Sequence, residues 1–162
     1  MSLLSMLIEL VEADVQFVMI GGFAAVAHGA TIVTEDLDIC YDRSPENLEA
    51  LARILDSWGA YMRGAPPGLP FFMDVRTLKN TPVLTLRTRQ GDIDIMDRVE
   101  GVGEYEQCLA ASEWVSVPPV RVRVLNLEAL IAAKKATRRP KDVERLRELE
   151  VLRERRQREA DR

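Results

Sequence analysis

Histidine and cysteine are nearly missing from this chain: 162 residues hold one histidine and two cysteines. A zinc centre takes most of its ligands from those two residue types, so the composition argues against one. Cys40 and Cys108 are far apart in sequence and form no CxxC. They read as buried thiols in a reducing cytoplasm. No apolar run approaches the roughly 18 residues that a membrane span needs. The first twelve residues have no basic region and carry Glu9 and Glu12. They read as an amphipathic helix and not as a secretion signal. The expectation is a cytoplasmic protein with no membrane partner. Hydrolase chemistry finds no Gly-x-Ser-x-Gly and no Ser/His/Asp set. There is no GxxxxGK[ST] phosphate loop, and Gly101-Val102-Gly103 is too short for a dinucleotide fingerprint.

What is present is ordinary for a globular protein: 47% apolar and 30% charged residues. The length suits one domain, 1–162, with a sheet core over 1–125 and C-terminal helices over 126–162. Net charge is −4 but unevenly spread: residues 134–162 carry a balance of +5, and residues 1–133 one of −9. An acidic body beside a basic helix suits a metal site facing phosphate-binding side chains. Most of the helix charges also fit a solvated face with i,i+4 pairs.

Periodicity predicts an α/β (α+β) fold, a small mixed β-sheet with helices packed on it. Helices are expected over 3–13, 23–28, 45 to about 58, 103–111, 127–136 and from 142 to about 156, and the last few residues should fray. Ser44 is the expected cap of the third, with Pro45 at its first position. Strands are expected over 16–20, 36–41, 83–88, 91–96, 114–117 and 120–124. Gly21-Gly22 reads as a turn and Gly64–Pro70 as a loop. Residues 71–80 are ambiguous.

Two of the expected strands carry the chemistry. Asp36-Leu37-Asp38 and Asp92-Ile93-Asp94 each alternate carboxylate with aliphatic. A strand repeats its facing every second residue, so the acids of each pair share a side. Adjacent carboxylates repel unless a cation lies between them. One such pair is common on exposed strands. Two pairs, after a Gly-Gly element at a helix entry, point to a divalent-metal site. If the strands are neighbours, the acids converge as in two-metal phosphoryl-transfer sites.

These residues resemble the nucleotidyltransferase superfamily related to DNA polymerase beta. The shared elements are Ile20-Gly21-Gly22, a spacer, Asp36-Leu37-Asp38 and a later strand with Asp94. The small bacterial branch that includes AbiEii-type toxins is similar in more detail: Gly21-Gly22-Phe23-Ala24, His28-Gly29, Thr34-Glu35-Asp36-Leu37-Asp38, Ile93-Asp94-Ile95, and Lys134 followed by Arg139-Pro140-Lys141-Asp142. The resemblance implies a metal-dependent enzyme that transfers a nucleoside monophosphate from an NTP to an acceptor hydroxyl. Asp36 and Asp38 would bind Mg2+ or Mn2+ carrying the triphosphate. Asp94 would complete the metal site and help activate the acceptor. Gly21 and Gly22 would let backbone N–H groups approach the phosphates, and Lys134 would contact them. Asp92 would sit at the rim. The resemblance also implies RNA such as tRNA as acceptor, in toxin–antitoxin or phage-defence work with a cognate antitoxin or toxin as partner.

One departure stands out. The branch often has Arg shortly before the Thr-x-Asp element, where this chain has Ile32. Arg43, Arg87 and Arg89 are substitutes to examine. The rival expectation is a catalytically impaired binding module or antitoxin-like partner with the same fold. Other DxD enzymes fit less well: the chain is short for a glycosyltransferase, and Cys40 stands where a haloacid-dehalogenase type carries Thr. His28 lies among small apolar residues, which favours a structural role over that of a general base. Trp58, Trp114, Phe71 and Phe72 are expected in the core.

Overall fold

The computed structural model describes residues 2–137, 139–140 and 142–162. Lys141 of the C-terminal signature lies outside the described residues. Seven helices, a seven-stranded mixed sheet and a two-stranded sheet make a mixed α/β fold among these residues. The helices are α1 (Leu3–Glu12), α2 (Gly21–Ala27), α3 (Pro45–Ser57), α4 (Val75–Asn80), α5 (Tyr105–Ala110), α6 (Leu127–Thr137) and α7 (Asp142–Ala160). The strands are β1 (Phe17–Ile20), β2 (Asp36–Tyr41), β3 (Tyr61–Met62), β4 (Val83–Arg87), β5 (Asp92–Met96), β6 (Arg98–Val99), β7 (Gly103–Glu104), β8 (Ser112–Val117) and β9 (Val120–Leu125). None of the described helices is long and apolar enough to cross a membrane.

Local chemistry explains the boundaries. Ser2 and Ser44 accept hydrogen bonds from backbone N–H groups of the first turns of α1 and α3. Pro45 follows at N1, where its missing N–H costs nothing. Asp74 caps α4 by accepting from the Thr77 N–H, so that the ambiguous stretch 71–80 resolves into irregular chain up to Asp74 and a short helix over 75–80. Glu104 and Gln107 form a reciprocal capping box on α5.

The large sheet runs β3-β4-β5-β2-β1-β9-β8. The β1/β2 pair lies near its centre. Parallel strands flank that pair: β5 beside β2, and β9 beside β1. All four residues of β1 are buried, as expected of an inner strand packed on both faces. Leu37, Ile39, Ile93 and Ile95 are fully buried on the face opposite the acids. Cys40 and Cys108 are buried and form no disulfide.

Several expectations need correction. Gly21 and Gly22 form the first turn of α2 and not a separate turn before it. The short strands β3, β6 and β7 have too few residues to show a period. Helix α7 continues to Ala160, beyond the expected end near 156. Trp58 is buried, but Trp114 is 53% exposed on the edge strand β8. Arg121 and Arg123 of the neighbouring strand lie over its ring, at 5.5 and 4.6 Å from the centroid. That cation–π stack supplies partners that a core would otherwise supply. Phe71 packs against the core, whereas Phe72 is 73% exposed.

Candidate functional site

The register of β2 against β5 builds the site. Asp36 pairs with Asp92 and Asp38 with Asp94 across a parallel ladder. Partners across a ladder face the same side, so four carboxylates share one patch of the sheet. The side chains of Asp36, Asp92 and Asp94 are 37%, 23% and 20% exposed.

Asp38 is the most perturbed of the four. Burial, then the Asp94 charge and hydrogen bond, then Asp36, push its carboxyl up to about 7, while Lys134 pulls the other way. Gly21 explains part of the burial. It has φ +72°, and a Cβ there would lie 2.2 Å from Oδ2 of Asp38. The backbone of α2 therefore presses directly on the carboxylate. Only glycine fits both the dihedral and the space.

The shifted carboxyl has a measurable sign. Below about 4 the proton is held in both folded and unfolded chains, and Asp38 contributes its full stabilisation. Between the ordinary 3.8 and the folded value of about 7, only the folded chain retains the proton. The contribution therefore declines as pH rises through that window. In EDTA, the denaturant midpoint of the wild type relative to Asp38→Asn is expected to fall between pH 4 and 8. A constant difference would remove Asp38 as the cause.

A cation already stands among the acids. Arg63, just after β3, places Nη2 2.8 Å from Asp94 Oδ1, Nε 3.3 Å from Asp92 Oδ2 and Nη1 3.7 Å from Asp36 Oδ2. Its side chain is 23% exposed. Sequence reasoning missed it, because no local pattern shows that an edge strand will fold over the acids. Of the three substitutes considered, Arg87 reaches the cluster, with Nε 3.2 Å from Asp92 Oδ1. Arg43 pairs with Asp97 and Arg89 bonds the Ser57 carbonyl. The four carboxylates offer the oxygen donors that Mg2+ and Mn2+ take. No group of three or more His, Cys, Asp or Glu among the described residues is set as a metal cage. The Arg63 guanidinium lies among three of the four carboxylates.

On the α2 side, Gly21, Gly22, Ile32, Lys134, Arg145 and Glu148 line a narrow crevice of about 10 Å³, room for about one water molecule. Lys134 is held by Asp142, Nζ to Oδ1 3.2 Å. Ile32 thus occupies the cleft wall where a cation was expected. Arg145, exposed on α7, is the cation that sequence reasoning did not single out. His28 is buried: Nε2 lies 2.9 Å from the Leu125 carbonyl, to which its N–H donates. Its Nδ1 then accepts from Arg156 at 3.1 Å. This bonding ties α2 to β9 and α7, as the structural reading expected.

Residues 76–162, just over half of the chain, match the model of a family described as nucleotidyl transferase of unknown function (DUF2204). The chain belongs to that family. The match to this nucleotidyl transferase family contains Asp92, Asp94, Lys134 and Arg145, and it begins after Asp36 and Asp38. The two acid pairs of this family member are joined by the β2–β5 ladder. No curated protein matches the chain.

Proposed function

We propose that this protein is a divalent-metal-dependent nucleotidyltransferase that moves a nucleoside monophosphate from an NTP to an acceptor hydroxyl. The observation that carries the reading is the Asp36–Asp92 and Asp38–Asp94 register beside Gly21. The donor set fits Mg2+ or Mn2+: four carboxylates, one of them pushed up to about 7 by its burial and by its neighbours' charge. A bound ion would neutralise the triphosphate and polarise the phosphorus under attack.

The chain's own residues then do the following. Asp36, Asp38 and Asp94 supply metal-binding oxygens, and Asp92, less exposed than its ladder partner Asp36, lies in the same cluster and not at its rim. Asp94 also takes the proton of the acceptor hydroxyl. The acceptor oxygen bonds to the α-phosphorus, the bond to the bridging oxygen of the β-phosphate breaks, and pyrophosphate leaves. Gly21 and Gly22 keep side chains away from the phosphates, and Lys134 and Arg145, beside that glycine pair, are the cations to bind them. Positioning and charge neutralisation account for the rate. The resemblance to the AbiEii-type branch extends the reading to an RNA acceptor such as tRNA, and to a cognate antitoxin or toxin as partner.

A second reading, a non-catalytic module on the same fold, draws on Ile32 in the cleft wall and Arg63 among the acids. Incubation with each labelled NTP, Mg2+ and total RNA separates the two. The first reading expects label in RNA. Absence of label, together with no rise in melting temperature with any NTP and Mg2+, supports the second.

A further inference from the structure

Arg63 is poorly satisfied for an ion pair at this depth. A guanidinium fork is best used by one carboxylate taken through two parallel hydrogen bonds. Here the fork spreads over three carboxylates from two strands. Only the Asp94 contact among them is a hydrogen bond. Its Nε is buried and makes none. The backbone is fixed more firmly than the fork: the Arg63 N–H donates to the Thr85 carbonyl at 3.0 Å. Nη2 also donates to the Leu86 carbonyl at 2.9 Å. The residue follows the two-residue edge strand β3, and the mostly exposed segment 64–70 comes after it. Leaving the acids would cost the side chain its two Nη2 hydrogen bonds, to Asp94 and to the Leu86 carbonyl, while the backbone bond to Thr85 could stay.

We propose that Arg63 is a placeholder cation, seated among Asp36, Asp92 and Asp94 until a divalent ion displaces it. The inference rests on the metal-dependent reading above. A guanidinium stays protonated throughout the working pH range, so neutralisation does not release it. One positive charge facing three carboxylates leaves the cluster negative, which draws in a more highly charged ion. The two cations repel at contact distance, so each weakens the other's hold. Arg63 is thus a positioning residue: it keeps the acids from splaying apart and sets the threshold for metal entry.

The test is a titration of the whole chain with Mn2+ alone, following free ion by electron paramagnetic resonance. Arg63→Gln is expected to bind Mn2+ about tenfold more tightly than the wild type. Adding Asp94→Asn to that variant is expected to abolish the gain. If Arg63→Gln does not fold, Arg63→Lys serves. A single ammonium cannot span three carboxylates, so its affinity should also exceed that of the wild type. Equal or weaker affinity in the variants, with the wild type binding measurably, overturns the inference and leaves the metal reading standing. A gain that survives Asp94→Asn overturns it too, because the ion is then elsewhere. No binding by any of the proteins defeats the metal reading and the inference together.

Discussion

Asp38→Asn is expected to stabilise the protein while removing the nucleotidyl transfer proposed for it. At pH 8 without divalent ions, Asp38 is an ionised group in a site that favours its protonated form. The amide keeps the shape and removes the charge. The expected gain is about 2 kcal/mol, or ~4–8 °C in melting temperature for a chain of this size. On the proposed metal-dependent reading, nucleotidyl transfer should fall by about a thousandfold or more, because an oxygen assigned to the metal becomes a neutral amide. Calorimetry and a labelled-NTP assay on one preparation check both halves. A variant that loses activity and stability together would indicate simple misfolding and sink the electrostatic account. The opposed signs are those of a site whose charge is held against the preference of the fold.

Gly21→Ala is the second large effect, and it acts by sterics. A methyl group would meet Asp38 Oδ2 at 2.2 Å, Cγ at 2.7 Å and Cβ at 2.9 Å, at a backbone φ of +72°. Neither partner can yield cheaply: the carboxylate is on an inner strand and the glycine opens a helix packed on it. The expected cost is about 2–4 kcal/mol by denaturant unfolding. Gly68→Ala is the matched control. It has φ +88° and open space around it, so it bears the dihedral penalty alone, about 1 kcal/mol. Equal losses in the two variants would show that the contact with Asp38 contributes nothing.

The sequence made the alternation of acids and aliphatics legible, and with it the shared facing within each pair. Elements with strong local signals were legible as well. Ser44-Pro45 opens a helix where it was expected, and β2 spans the expected 36–41. The convergence of the pairs was only conditional on the strands being neighbours, since register between distant segments leaves no local mark. Arg63 and Arg145 were invisible for the same reason. Each is one charged residue among many until the fold puts it beside the acids or the glycines. Trp114 misled because its apolar, alternating surroundings describe an edge strand as well as a buried one. Only the arginine stack from β9 shows why it can remain in water.

The strand order also bears on how far the chain can be divided. Residues 76–162 supply two separate hairpins, β4 with β5 and β9 with β8. They never touch edge to edge, because β2 and β1 lie between them like the middle boards of a floor. Cut away from the first half, the stretch that matches the family would be two planks without a joist, with one acid pair missing its mate.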